Sequence, residues 1–205
     1  MPIDPILTPK FRARWTNLVE PNEKGQFNVT MLFPKDSDLK ALKALVVATI
    51  KDKWGDKFKP AQLSLPFKDG NEKVNNETGE VYAEYQDTIW ATASTKYAVT
   101  VLDATNGKKP IPTAELKSAV YDGCYMIAQV GAYGWEFKDD KSGKVIKRGV
   151  SLQLENLLKY ADGEPIGGGG KRQKAEDAFA EVAAGSDDPA NYESGSGEAA
   201  GDWDL

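Results

Sequence analysis

Hydrophobic and polar residues alternate over several short stretches of the chain, the pattern of β-strands that bury one face. Turn-forming residues such as those of EPNEKG separate the stretches. The charged segment KDDKSGKVIKR is predicted to be a hairpin loop between the last two strands. We predict strands in KFRARWTNLV, GQFNVTMLF, DTIWATASTKYAVTVLDA (one long bent strand or two short ones), CYMIAQVGAYGWEF and GVSLQLENLLKY.

One segment instead repeats its apolar residues at the spacing of a helix. In SDLKALKALVVATIKDKWG, Leu, Val and Ile recur every three or four positions, Ser37 or Asp38 is placed to cap the first turn, and Gly55 to end the last. A short second helix, capped by Thr113, is predicted in TAELKSAVY. Between the main helix and the third strand stretch, residues 57–85 are rich in Pro, Gly, Asn and charge, which favours an extended loop or a weak hairpin.

Short strands with one principal helix favour a mainly β fold, a small closed or half-closed barrel. We predict that residues 1–166 form this single domain. Residues 167–205 begin with GGGG and continue in Ala, Gly, Ser, Asp and Glu. Such a composition has too little apolar surface to offset its ordering entropy, so a glycine linker and a disordered acidic tail are expected.

Charge divides the chain in the same way. The segment from Ala175 to Leu205 holds nine of the 31 Asp and Glu residues and no Lys or Arg. The preceding residues therefore carry all 26 Lys and Arg against 22 carboxylates. A basic body joined to an acidic appendage is typical of a protein with a polyanion-binding surface or an interaction tail.

Composition excludes several classes of chemistry. The chain has no histidine, so mechanisms that need a His base or a His-bound metal are excluded. Its single cysteine, Cys124, lies in an apolar stretch and is predicted to be a buried thiol. No apolar run approaches the length of a membrane span and the N-terminus lacks a signal-peptide pattern, so a soluble, cytosolic protein is expected.

The predicted strands combine basic and aromatic residues. FRARW places Arg12 and Arg14 on one face and Phe11 and Trp15 on the other, by simple alternation. A protein that binds single strands with little sequence preference needs cations for phosphates and aromatic rings on which bases stack. The candidate DNA-binding residues are Arg12, Arg14, Trp15, Phe67, Lys68, Trp90, Lys96, Tyr133, Trp135, Lys147 and Arg148.

Each of these features has a structural alternative. Aromatic rings in a small barrel more often pack in the core than face a ligand. The run of four glycines at 167–170, followed by Lys171 and Arg172, is typical of a flexible linker, because a phosphate-binding loop would follow a strand and end in Lys-Ser or Lys-Thr. Asp139 and Asp140 are typical of a solvated turn rather than a metal site, and we predict neither metal nor cofactor.

Several sequence segments, taken together and in their order along the chain, resemble segments of the single-stranded DNA-binding proteins of tailed bacteriophages. The matching stretches are FRARWTNLVEPNEKGQFNVTMLFPKDSDLKALK, WGDKFK, LPFKDGNE, YDGCYMIAQVGAYGW and GVSLQLENLLKYADGEPIGGG. They span about residues 8 to 170. The resemblance implies an oligonucleotide-binding (OB) type of barrel with an acidic tail, non-specific binding of single-stranded DNA in phage replication, recombination or repair inside the host cell, and no catalysis.

Two other functions stay open as alternatives. A phage structural or assembly module would use the barrel to bind proteins and the tail for solubility, and a Mg²⁺-dependent nuclease would need a carboxylate cluster that the sequence does not offer. In the leading hypothesis the tail competes with DNA for the basic groove. Its terminal residues Asp202, Trp203, Asp204 and Leu205 then bind phage or host replication or recombination proteins. No membrane partner is expected, and a homo-oligomer stays open.

Overall fold

The computed structural model describes residues 3–76 and 78–167, which contain nine strands and two α-helices. Short 3₁₀ turns also lie within residues 55–85, at Gly55–Lys57, Pro60–Gln62, Gly70–Glu72 and Ala83–Tyr85. The elements are β1 (Ile6–Leu7), β2 (Phe11–Asn17), β3 (Phe27–Pro34), α1 (Lys40–Trp54), β4 (Lys68–Asp69), β5 (Thr88–Thr95), β6 (Thr100–Asp103), β7 (Lys109–Pro110), α2 (Thr113–Ala119), β8 (Tyr125–Lys138) and β9 (Val145–Ala161).

Five strands pair around a partly closed ring in the order β2, β3, β5, β9, β8 and back to β2. All of these pairings are antiparallel except that of β5 with β9. If only the ring strands are numbered, the order is 1-2-3-5-4, with strands 3 and 5 parallel. The mainly β, OB-like barrel predicted from the sequence is therefore confirmed.

The barrel interior is filled by alternate residues of each ring strand. On β3, Val29, Met31 and Phe33 are fully buried, and Phe33 meets Phe11 of β2 edge-on at a centroid distance of 5.7 Å. The same core holds Cys124, so the predicted buried thiol is confirmed, and its burial raises the pKa of the thiol. Period-2 alternation thus places one face of each strand in the core.

Helix α1 packs on the barrel through a single apolar stripe. Its buried residues recur at spacings of three and four, as predicted, and they face β1, β8 and β9. These residues are Leu42, Leu45, Val46, Thr49 and Ile50. Gly55 ends the helix with a positive φ of 73°, as predicted.

The predicted helix caps are partly wrong. Asp38 accepts a hydrogen bond from the Lys40 amide (3.0 Å), but the residue at the cap position of α1 is Leu39. Thr113 does not cap α2: it is already the first helical residue, Pro112 precedes it, and no side chain caps that end. Proline before the first turn sets the backbone for helix entry without a capping oxygen.

The long segment after α1 covers part of the outer face of the barrel. Strand β4 extends the sheet beside β5, and an isolated bridge joins Val74 to Val81. Tyr85 is buried against the ring of Trp90. Of the predicted alternatives, an extended loop or a weak hairpin, the segment has a hairpin-like bridge within an otherwise irregular loop. Strand β3 is buried on both faces, since Leu32 and Thr30 are buried as well as Met31.

For DTIWATASTKYAVTVLDA the sequence predicts one long bent strand or two short ones. The structure has two short strands there, β5 and β6. Strand β9 begins at Val145, so the hairpin loop is shorter than predicted and its last residues extend the β8–β9 ladder. In the described part of the chain, neither helix has the length and apolar composition to cross a membrane, and no group of three or more Asp, Glu or Cys side chains is arranged to hold a metal ion.

Candidate nucleic-acid interface

Two adjoining depressions that share lining residues form a groove over the outer face of β3, β5 and β9. Its larger part, of about 610 Å³, reaches from Trp15 across the sheet to Ser94. Its smaller part, of about 240 Å³, extends from Ser94 to Tyr133. The two parts share Gln26 and Ser94, and together we name them the outer groove. The remaining lining residues are Asn17, Asn22, Glu23, Lys24, Asn28, Thr30, Thr92, Thr95, Lys96, Tyr97 and Gln153.

The floor of the outer groove consists of outward-facing residues of neighbouring strands. Asn28 lies opposite Ser94 and Thr30 opposite Thr92 in the β3–β5 register. The Thr30 and Thr92 hydroxyls are hydrogen-bonded at 3.0 Å. This arrangement follows from strand alternation, because the same strands place Val29, Met31, Ala91 and Ala93 in the core. The floor is therefore polar and uncharged.

Trp15 borders the groove with an exposed ring, at 53% exposure. The prediction that it shares the face of Phe11 is wrong, because β2 has a register shift between Arg14 and Asn17 and Trp15 adopts a positive φ of 49°. Such an irregularity turns a side chain away from simple alternation. The Arg14 guanidinium lies over the Trp15 ring, 4.1 Å from its centroid, and fixes the indole in place.

The guanidinium of Arg14 forms ion pairs with two carboxylates. Its Nη2 lies 2.9 Å from Glu84 Oε1 and its Nη1 lies 2.7 Å from Asp122 Oδ2, and the residue is only 8% exposed. Asp122 also accepts hydrogen bonds from the amide and hydroxyl of Thr16. Arg12 donates to the backbone carbonyls of Glu164 and Gly123. This geometry favours structural roles for both arginines, and their contact with phosphate stays a prediction.

A second group of aromatic and basic residues surrounds Trp90 on β5. The ammonium groups of Lys68 and Lys73 lie 4.8 Å and 5.8 Å from the centroid of the half-buried Trp90 ring. Tyr85 packs edge-on against that ring, and burial raises the pKa of the Tyr85 hydroxyl. Phe67, also predicted to contact DNA, is half-buried against the hydrophobic core instead of projecting from the loop.

Tyr133 and Trp135 of β8 have different surroundings although they point the same way. Tyr133 is 42% exposed and lines the smaller part of the outer groove. The Trp135 ring lies over Gly149 of the paired strand, and its Nε1 donates to Ser151 Oγ (3.0 Å). The ring of Tyr133 is thus available to a ligand, whereas that of Trp135 is packed within the hairpin.

The turn end of the β8–β9 hairpin is joined to the end of α1 by Glu136. Its Oε1 accepts hydrogen bonds from Trp54 Nε1 (2.8 Å) and Arg148 Nε (2.9 Å), and these contacts lower the pKa of the carboxyl. Arg148 also stacks on Phe58, 5.0 Å from its centroid. Lys147 is exposed on the hairpin. Of the predicted basic pair Lys147 and Arg148, Lys147 therefore has the freer cationic group.

Sequence reasoning missed Tyr97 and the hydroxyl floor. Tyr97 is 79% exposed and lies beside Lys96 at the smaller part of the groove. The signal for Tyr97 is a Lys-Tyr pair directly after a strand, and the signal for the floor is the polar half of the alternation in FNVTM and WATAS. Both patterns are common at solvated strand ends and faces, so they do not by themselves indicate a ligand.

A small OB-like barrel with exposed rings and lysines along an outer groove defines a class: the OB proteins that bind single-stranded nucleic acid. The chain belongs to the family described as the single-stranded DNA-binding protein of Enterobacter phage Enc34, whose family model matches residues 4–189. The predicted phage family is therefore confirmed.

Two solved structures of the bacteriophage Enc34 single-stranded DNA-binding protein are similar to this chain. The first has 22% sequence identity and a TM-score of 0.62, and covers 86% of this chain and 90% of its own. The second, in complex with single-stranded DNA, has 22% identity and a TM-score of 0.62, and covers 80% and 90%. These likenesses show a shared fold. A search of curated proteins gives no match.

Proposed function

We propose that this protein binds single-stranded DNA through the outer groove, with little sequence preference and without catalysis. The observation that carries the proposal is the groove itself: three exposed rings, those of Trp15, Tyr97 and Tyr133, line its two adjoining parts on an OB-like barrel. Membership of a phage single-stranded DNA-binding family supports it. The protein would protect and organise single strands during phage replication, recombination or repair in the host cytoplasm.

In this mechanism the rings and the lysines have separate tasks. Bases of an unpaired strand stack on the aromatic rings, which is sequence-tolerant because every base has a π-face. Lys24 and Lys96, in the turns before β3 and after β5 that border the groove, neutralise phosphates and release counterions. Lys68 and Lys73 beside Trp90 would extend the same path past Tyr85.

A fluorescence titration with oligo(dT) tests the proposal, with the intrinsic tryptophan signal reporting occupancy of the groove. We expect single strands to bind more tightly than a duplex of equal length, because stacked and paired bases are not available to the rings. If four to six phosphates are neutralised, log K should fall against log salt with a slope of about −3 to −4. Equal affinity for duplex, or affinity independent of salt, would contradict the proposal.

We propose further that the acidic tail regulates this groove. Residues 175–205 and the terminal Asp202, Trp203, Asp204 and Leu205 lie outside the described residues, so the support comes from charge and from where the described chain ends. The segment after β9 packs beside β2: the Ile166 amide donates to Asp122 O, and Gly167 lies against the Arg14 guanidinium.

A polyanion tethered at that point is held at high effective concentration near the lysines of the groove and would compete with DNA phosphates. When DNA displaces it, Trp203 and Leu205 would become available to a phage or host replication or recombination protein. Affinity capture from phage-infected cells in the presence of single-stranded DNA tests this. The full chain should retain a protein that a variant lacking the last four residues does not, and equal capture by both would contradict docking through these residues.

A further inference from the structure

We infer that Thr92 and Ser94 form a subsite for the edges of unpaired nucleobases, so that bases point into the outer groove and phosphates lie beside the charged turns that border it. The inference rests on the proposed single-strand binding and adds to it the orientation of the strand. It also gives a physical reason for sequence tolerance beyond stacking.

The distribution of charge within the groove supports this orientation. Its charged lining residues, Glu23, Lys24 and Lys96, all lie in the turns that follow β2 and β5. The floor on β3 and β5, beside these turns, has only hydroxyl and amide side chains. A phosphate placed on the floor would lose hydration without a cation to replace it, whereas a neutral base edge needs only hydrogen bonds.

Two of the four floor residues on β3 and β5 have hydroxyls with hydrogen-bonding capacity to spare. The Asn28 amide is already engaged, because its Oδ1 accepts from Asn17 and Asn22 and its Nδ2 donates to Trp15 O. Thr30 is buried and shares one hydrogen bond with Thr92, which is exposed.

The Ser94 hydroxyl has no hydrogen-bond partner within residues 3–76 and 78–167. Among the four floor residues of β3 and β5, Thr92 and Ser94 therefore present the capacity that remains. A hydroxyl rotates and both donates and accepts, whereas an amide or a charged group has fixed donor and acceptor positions. Two adjacent hydroxyls can thus satisfy the edge of any of the four bases.

The exposed rings lie at the two ends of this floor. Trp15 belongs to the larger part of the groove, and Tyr97 and Tyr133 to the smaller part, with Ser94 shared between the parts. A base stacked on one of these rings while its sugar and phosphate face solvent presents its edge toward the strands. Stacking and edge contact are then compatible for successive nucleotides along one path.

The test compares two ligands of equal length and charge, oligo(dT) and a strand of abasic sites, in titrations with the full chain at low salt. The double variant Thr92→Val and Ser94→Ala should bind oligo(dT) about 5- to 30-fold more weakly, the loss expected for two hydrogen bonds. Its affinity for the abasic strand should change by less than about twofold, and its salt slope on oligo(dT) should be that of the parent chain.

Two further variants control the experiment. Lys96→Ala should weaken binding of both strands by a similar factor and make the salt slope less steep by about 0.7, since it removes a phosphate contact. Thr92→Ser keeps the hydroxyl and should retain the binding that Thr92→Val loses. Ser94→Ala alone replaces a half-buried hydroxyl by a methyl group and allows the test to proceed if the double variant fails to fold.

Equal loss on the abasic strand and on oligo(dT) would overturn the inference in favour of phosphate contacts at the floor. No loss on either strand would overturn it as well. Failure of the parent chain to bind oligo(dT) would instead reject the proposed function, so the two failures are distinguishable.

Discussion

Arg14 joins three separate parts of the chain at a single side chain. It pairs with Glu84 of the long segment and Asp122 before β8, and it stacks on Trp15 of its own strand. All three charged side chains are largely buried, so removal of the cation leaves two carboxylates with incomplete partners. Alternate arginines on a strand are nevertheless the pattern expected of phosphate ligands. A single substitution distinguishes the two roles.

We expect Arg14→Met to lower the free energy of unfolding by about 2–4 kcal/mol, because it breaks a mostly buried ion-pair network while keeping the apolar stem. Denaturant unfolding measures this loss. Lys147→Met, on the exposed hairpin, serves as the control and should change stability by less than about 0.5 kcal/mol. If Arg14→Met keeps its stability but binds oligo(dT) more weakly with a less steep salt slope, the guanidinium is a phosphate ligand instead.

Tyr133 and Trp135 form a natural pair for a second test, because they are two residues apart on one strand. If its exposed ring is a stacking platform, Tyr133→Ala should weaken binding of oligo(dT) by about 1–3 kcal/mol with little loss of stability. Trp135→Ala should do the reverse and lower the melting temperature, because it leaves a cavity over Gly149. Affinity and melting measured on both variants decide, and the opposite pattern would exchange the two roles.

At the scale of elements, the β8–β9 hairpin depends on close packing of its own two strands. A side chain at Gly149 would lie 2.5 Å from the Trp135 ring and 2.6 Å from the Ser64 carbonyl oxygen. Ser64 is bound to β9 through the Arg148 carbonyl and the Val150 amide, so that contact cannot move without breaking backbone hydrogen bonds. Glycine at this position therefore permits both the indole packing and the attachment of the loop after α1.

Gly149→Ala should destabilise the protein by about 1–3 kcal/mol through overpacking. Gly131→Ala is the matched control on the partner strand, because its nearest neighbours to an added methyl group lie at 3.8 Å and 3.9 Å. We expect the control to be within about 0.5 kcal/mol of the parent chain. Thermal unfolding of both variants measures the difference, and equal stabilities would show that the indole and the loop can move aside.

At the scale of the whole molecule, the acidic tail and the basic body carry opposite charge on one chain. Deletion of residues 175–205 removes nine carboxylates and leaves every Lys and Arg in place. If the tail competes with DNA, the deletion should tighten binding of oligo(dT) by about 3- to 10-fold at low salt, and the gain should shrink as salt screens both interactions. Titrations of both chains at two or more salt concentrations measure the effect.

Deletion of the last four residues alone is the control for that experiment. It removes two of the nine carboxylates, so DNA binding should stay close to that of the intact chain. Unchanged affinity of the longer deletion between low and moderate salt would mean that the tail does not regulate the groove.

The elements with a regular pattern were predictable from local sequence. The stripe of Leu42, Leu45 and Ile50 and the alternation of Val29, Met31 and Phe33 state which face of each element is buried, because helix and strand periods determine which side chains share a face. Composition by itself excluded histidine chemistry, and the separation of charge indicated a polyanion-binding body with an acidic appendage. The sequence segments that resemble the phage proteins indicated the barrel and its family.

The choice of groove residues was decided only by tertiary structure. Arg14 and Tyr133 are equally plausible ligands in the sequence, yet one is buried by Glu84 and Asp122 from distant segments and the other faces open space. Trp15 leaves the face of Phe11 because of a bulge that alternation cannot show. Exposure depends on which remote segment covers a strand, and that is a non-local property. Period 2 assigns a side chain to a face, but only packing determines whether a loop covers that face or leaves it open.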